Sequence, residues 1–161
     1  MADLIWTSES EADTERLGRA LAGGLFPGAV VALHGTLGVG KTRLVQAIAE
    51  AAGLDPHTTS SPTFTLVHEY DAPAAPIFHF DAYRLSGDAE FAGLGADDYL
   101  YGAGWSFVEW ADRVPESLPA ERLTIRIEPT GERSRRFALS ASGEAYHALL
   151  AHVAQELGGS L

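Results

Sequence analysis

The sequence predicts an α/β fold with a mainly parallel central sheet and an antiparallel extension towards the C-terminus. Three observations carry this reading. Ala29 to His34 is a short, continuous apolar run rich in β-branched residues, as suits a strand buried on both faces of a parallel sheet. A glycine-rich turn follows at once, and from Lys41 the pattern changes to helix, which makes a strand, loop and helix unit. Late in the chain, Leu123 to Glu128 and Arg136 to Ser140 alternate apolar with polar residues across the turn Pro129-Thr130-Gly131, the pattern of an antiparallel pair.

The other elements follow in chain order. Thr7 to Leu25 reads as an amphipathic helix, with Leu17, Ala20, Leu21 and Leu25 near helical spacing and Ser8, Ser10 or Asp13 available as caps; Phe26-Pro27-Gly28 breaks it. The helix from Lys41 places Leu44, Val45, Ile48 and Ala49 on one face and stops at Gly53. Thr63 to Tyr70 reads as a strand, Asp71 to Pro76 as a surface turn, and Pro76 to Asp81 as the next strand. Ser86 to Asp98 is expected to be irregular or briefly helical, Gly104 to Trp110 a strand, and Glu144 to Leu157 a closing helix whose stripe Tyr146, Leu149, Leu150, Val153 and Leu157 faces the core. His34 and His79, near strand ends, read as packed or capping residues rather than metal ligands, because no H-x-x-x-H pairing occurs.

Composition narrows the function classes. The 161 residues suit one domain spanning 1–161. With no cysteine, disulfides, thiolate metal sites and a cysteine nucleophile are excluded. No apolar run approaches the roughly 20 residues of a membrane span, and the opening residues lack the basic and apolar regions of a secretory signal, so a cytoplasmic protein without membrane contact is expected. Asp and Glu total 22 against 11 Lys and Arg, a net charge of -11 that disfavours strong unaided binding to tRNA or DNA. Lys41 is the only lysine, and there is no asparagine.

That lysine lies in Gly35-Thr36-Leu37-Gly38-Val39-Gly40-Lys41-Thr42, which satisfies G-x-x-x-x-G-K-[ST] at every fixed position. Glycines let the backbone curl so that successive N–H groups converge on phosphate oxygens, where side-chain bulk would block the approach. The helix start adds its positive dipole end, the Lys41 ammonium can reach β- and γ-phosphates, and the Thr42 hydroxyl can ligate Mg²⁺. The fold class thereby becomes that of the P-loop NTPases. A Ras-type guanine reader, N-K-x-D, is impossible in a chain without asparagine, so ATP is favoured over GTP. Such a site also needs a carboxylate near the metal. Asp81 ends the run Ile77-Phe78-His79-Phe80 and Glu109 ends Phe107-Val108, both where an α/β sheet presents its functional edge. Ser60 to Thr65, with Thr63, offers hydroxyls on a proline-stiffened loop, as a γ-phosphate sensor would, although the start of a strand explains it nearly as well.

Taken in order, G-T-L-G-V-G-K-T, S-P-T-F-T-L-V, H-F-D-A-Y-R-L and V-E-W resemble the TsaE (YjeE) family of small bacterial ATPases, from the first helix through Arg136. The resemblance implies a three-layer α/β P-loop NTPase fold with ATP and Mg²⁺ in the P-loop, with hydrolysis supporting the TsaB and TsaD proteins as they place threonylcarbamoyl on N6 of adenosine 37 in tRNAs that read codons beginning with A; tRNA itself would be met only indirectly. By position it makes Lys41 and Thr42 the phosphate and metal residues, Glu109 the metal-binding acid, and Asp81 the acid of a D-x-Y-R segment beside the metal. Thr63 falls in a switch-like loop, Trp110 follows the metal acid, and nucleotide contacts are implied near Glu11 and Arg133. The chain departs from the family pattern at Val39, Arg43 and Ala82, none of which removes a polar group that the chemistry needs, and at Ala92, which replaces a usual glutamate in the segment where partner contacts or switch behaviour would be affected.

Two other readings share these motifs. A small-molecule kinase would use the same acids but needs an acceptor pocket and an arginine lid, for which Arg133, Arg135 and Arg136 are the candidates. A nucleotide-dependent assembly switch differs only in not requiring turnover.

Overall fold

The computed structural model describes residues 3–36, 40–56, 67–83 and 85–159. Its seven strands are β1 (Leu4–Ser8), β2 (Val30–His34), β3 (Val67–Asp71), β4 (Pro76–Asp81), β5 (Trp105–Glu109), β6 (Arg122–Pro129) and β7 (Arg135–Ser142). They form one sheet in the order β1-β7-β6-β2-β5-β4-β3. The four central strands, β6, β2, β5 and β4, run parallel, while β7 and β1 at one edge and β3 at the other are antiparallel to their neighbours.

Burial explains this arrangement. All five residues of β5 are buried, as are the first four of β2, which is what helices on both faces of a parallel sheet demand. Strand β6 instead alternates, with Leu123, Ile125 and Ile127 inward. Helices α1 (Glu11–Gly24), α2 (Lys41–Ala51) and α5 (Glu144–Glu156) cover one face of the whole sheet, packing Leu17, Leu21, Leu44, Ile48, Leu150 and Val153 against residues of β1, β2 and β4 to β7. Gly18 allows α1 to lie close on α2, since a Cβ there would stand 2.7 Å from the Cβ of Ala47. On the other face, α3 (Asp88–Gly93), α4 (Ala96–Leu100) and the 3₁₀ turn Ala111–Arg113 pack Phe91, Leu100 and Ala111 on Val30, Ala32, Phe80 and Val108. That second helical layer therefore covers β2, β5 and β4 and leaves the corresponding face of β6, β7 and β1 open.

The helix expected over Thr7 to Leu25 starts later. Residues 4–8 are a strand paired antiparallel with β7, Leu4 opposite Leu139 and Ser8 opposite Arg135. Ser10 caps α1 by accepting the Asp13 N–H, and the Asp13 carboxylate accepts the Glu9 N–H in return, a reciprocal capping arrangement. The strand expected over Thr63 to Tyr70 is described from Val67 onward. The closing helix faces the core as expected, and the Tyr146 hydroxyl accepts a hydrogen bond from the Val30 N–H at 2.9 Å. Among the described residues, no helix is long and apolar enough to cross a membrane.

Candidate functional site

Strands β2, β5 and β4 end side by side, and their register places Glu109 next to Leu33 on one side and Asp81 on the other. Gly35 leaves β2 at φ 151°, and Gly40 turns the chain into α2 at φ 113°, backbone conformations that a side chain would strain. Gly40 has no side chain to cap α2, so the first N–H groups of that helix are not satisfied by a capping side chain, and the positive end of its dipole points out of the sheet edge. Leu37, Gly38 and Val39, between the two glycines, and Thr63 lie outside the described residues.

Lys41, at the first position of α2, is only 4% exposed. Its ammonium donates to the carbonyls of Gly35 at 2.6 Å and Thr36 at 3.0 Å and stands 4.0 Å from the centre of the Trp110 ring. Burial lowers the Lys41 pKa, an effect opposed by the negative charges of Glu109, Asp81 and Asp112. At the next residue, the Thr42 hydroxyl donates to Oε2 of Glu109 at 2.8 Å. Oε2 also meets Nε2 of His79, a fully buried side chain on β4. Asp81 Oδ1 accepts the Tyr83 N–H at 2.9 Å; burial raises the Asp81 pKa, and the neighbouring Glu109 charge adds to that rise.

Trp110 is bent sharply out of line with β5. It is the only described non-glycine residue at positive φ, 57°, a conformation that costs an indole-bearing residue of order 1 kcal/mol or more. The bend brings its ring to both the Lys41 ammonium and the ring of Tyr83, whose centre is 4.8 Å away, and the Arg113 guanidinium lies over the Tyr83 ring at 5.4 Å.

Glu11 and Arg133, remote in sequence, line one cavity of about 170 Å³ together with Ser10, Thr14, Gly40 and Arg43. It opens beside the start of α2. Arg43 bonds Glu15 of α1 at 2.8 Å, tying the two helices together. Arg133 lies in the β6–β7 turn, while Arg135 and Arg136 begin β7, so the three arginines belong to a hairpin rather than to a lid. A second cavity, of about 290 Å³, lies against Gly35, Thr36 and Trp110, with His34, Asp112 and Arg126 on its wall.

The oxygen donors suit a small hard cation. Mg²⁺ takes one or two protein oxygens and keeps the rest of its shell for water and phosphate, and Thr42 with Glu109 supplies such a pair. Among the described residues no three His, Asp or Glu side chains converge into a self-sufficient metal cage. His79 was the residue whose place in the site sequence reasoning missed. The signal available was its position two residues before Asp81 on one strand, which sets both side chains on the same face of the sheet.

A parallel sheet whose middle strand runs through Gly35 into a helix opening with Lys41 and Thr42, beside an acid from the neighbouring strand, defines a P-loop-type α/β protein. Comparisons with known proteins narrow that class. Residues 8–137 match the family model described as "Threonylcarbamoyl adenosine biosynthesis protein TsaE", and the chain belongs to this family. It is 37% identical over 149 residues to the tRNA threonylcarbamoyladenosine biosynthesis protein TsaE of Bacillus subtilis, covering 92% of each chain. It is 40% identical over 129 residues to the protein of that name from Aquifex aeolicus, covering 80% of this chain and 89% of the relative. The crystal structure of Bacillus subtilis YdiB superposes with a TM-score of 0.81 at 33% identity, over 96% of this chain and 97% of that one.

Proposed function

We propose that this chain is a Mg²⁺-dependent ATPase that acts, as one cytoplasmic domain, with TsaB and TsaD proteins in the threonylcarbamoylation of adenosine 37 in tRNAs reading codons that begin with A. The observation that carries the nucleotide reading is the Thr42 hydroxyl 2.8 Å from Glu109, beside a buried Lys41 and the uncapped start of α2. Family membership and the names of the relatives carry the tRNA-modification reading.

In this reading the loop from Gly35 to Thr42 cradles the phosphates with its N–H groups. The Lys41 ammonium exchanges the Gly35 and Thr36 carbonyls for β- and γ-phosphate oxygens, where its charge offsets the negative charge of the transferring phosphoryl group. Thr42 and Glu109, with Asp81 beside them, would hold Mg²⁺, which would supply further charge neutralisation. Asp81 accepts a hydrogen bond from the attacking water or from the metal's water shell. Water oxygen bonds to the γ-phosphorus, the bond to the β–γ bridging oxygen breaks, and the electron pair leaves on ADP while the water's protons leave with the inorganic phosphate. Trp110 excludes water from one side of Lys41, and Glu11 and Arg133 flank the rest of the nucleotide across the cavity beside Gly40. Thr63, from its hydroxyl-bearing loop, would sense the γ-phosphate.

The test is phosphate release from Mg·ATP by the purified chain, with and without TsaB, TsaD and tRNA. Release is expected to be slow alone, faster with the partners and lost in Lys41→Ala. Equal rates with and without partners would contradict the reading, and phosphate appearing on an added nucleoside would favour a kinase.

A further inference from the structure

Four ionisable side chains at the carboxyl edge of the sheet are less than a tenth exposed: Lys41, His79, Asp81 and Glu109. The proposed chemistry uses three of them. His79, 1% exposed, projects from the same face of β4 as Asp81, towards the side of the sheet that α2 covers. A histidine there has a cost that a phenylalanine would not have, since a buried imidazole requires a hydrogen-bond partner.

The partner is specific. Both hydrogen bonds that the Glu109 carboxylate receives from described residues end on Oε2, one from Thr42 Oγ1 and one from His79 Nε2. A carboxylate that is to hold a cation can only accept, so in this pair the imidazole Nε2–H is the donor. The two donors differ in what they can do next. The Thr42 hydroxyl, on the first turn of α2, has lone pairs for a cation as well as the hydrogen it gives Glu109, so it would serve the ion and the acid together. His79 is fixed in β4 between buried neighbours and keeps its bond.

We propose that His79 is a positioning residue for the metal-binding acid: its Nε2 hydrogen bond, from a buried side chain fixed in β4, holds the Glu109 carboxylate in the orientation in which it and Thr42 would receive Mg²⁺. The inference rests on the proposed nucleotide and Mg²⁺ site and goes beyond it, because His79 touches neither ion nor nucleotide. Removing partners of this kind weakens metal binding roughly 10- to 100-fold. A merely structural histidine would change stability and leave the metal dependence alone.

The experiment is calorimetric titration of the purified chain with ADP, once in EDTA and once in excess Mg²⁺, supplemented by Mn²⁺ binding followed by electron paramagnetic resonance. His79→Phe is expected to bind metal-free ADP like the wild type but to lose about tenfold or more of the Mg²⁺-dependent gain and of Mn²⁺ affinity. His79→Gln, whose Nε2 amide can donate to the same oxygen, is expected to recover most of both. Should His79→Phe not fold, His79→Asn replaces it, since its amide stops short of the Nε2 position. A full Mg²⁺ gain in the folded variant, or a loss of metal-free ADP affinity in step with melting temperature, overturns the inference while leaving the nucleotide site standing. A wild-type chain that binds no ADP in Mg²⁺ overturns both.

Discussion

The two halves of the sheet bury different things. In the parallel half, β2, β5 and β4 bring Glu109, Asp81 and His79 together under Lys41, each less than a tenth exposed. In the antiparallel half, β6, β7 and β1 bury Leu123, Ile125, Ile127, Phe137, Leu139 and Leu4 on one face and leave the other without a helical cover. Burying charge costs free energy unless every charge finds a partner, whereas burying leucine and isoleucine contributes it. The antiparallel half thus supplies stability, and the parallel edge spends some of it on a preorganised polar cluster.

This division can be broken from either side. The largest effect is expected in the antiparallel half: Leu139→Ala removes a fully buried side chain opposite Leu4 and Ile125 and should cost about 2–5 kcal/mol of unfolding free energy. Denaturant titration reads that loss, and ADP affinity measured well below the transition should stay at the wild-type value. A parallel loss of ADP affinity would show that the halves are not separable. Next in size is Lys41→Ala, which removes the ammonium meant for the phosphates and should weaken ATP binding by more than roughly 100-fold, about 2.7 kcal/mol. Its melting temperature should move less than that of Leu139→Ala, and unchanged ATP affinity by calorimetry would refute the nucleotide assignment.

How far the sequence foretold these halves depends on whether the information is local. The strand, loop and helix from Ala29 to Gly53 was legible because its signals are contiguous: an apolar run, glycines at fixed spacing and a helical stripe. Strand β4 was legible to the residue, and the β6–β7 hairpin to within one or two residues at each strand end, because its strands are joined by a short turn. Strand β1 was not. Its five residues gain strand structure only by pairing with β7, about 130 residues later, and nothing in Leu4-Ile5-Trp6-Thr7-Ser8 announces that partner. The meeting of Glu11 with Arg133 at one cavity follows from the same long-range pairing. At the candidate site, residue types identified Lys41, Thr42, Asp81 and Glu109, but the hydrogen bond from His79 to Glu109 depends on the register of β4 against β5, which no local pattern encodes.

The smallest expected effect lies on the seam between the halves, where His34 of β2 is register partner to Arg126 of β6. The His34 pKa is lowered, first by burial and then by Arg126, with smaller like-signed contributions from Arg122 and Lys41 and a partial offset from Asp112. Nδ1 of His34 is buried without a hydrogen-bond partner, and Asp112 Oδ1 stands 3.7 Å from it, too far to take its proton well. Because the folded chain holds this histidine neutral more strongly than the unfolded chain does, the unfolded state takes up the proton first as pH falls below about 6.5. Stability from this group is therefore unaffected above that pH and declines as pH drops towards the lowered folded value. His34→Gln, which does not titrate, should flatten that part of the melting-temperature profile between pH 7.5 and 5. The Asp81 shift acts with the opposite sign, since a raised carboxylate pKa adds stability as pH falls through its window, so wild type and Asp81→Asn should diverge in the other direction. An identical profile for wild type and His34→Gln would mean that the seam carries no electrostatic cost and that the two halves meet as neutrally as their apolar registers do elsewhere.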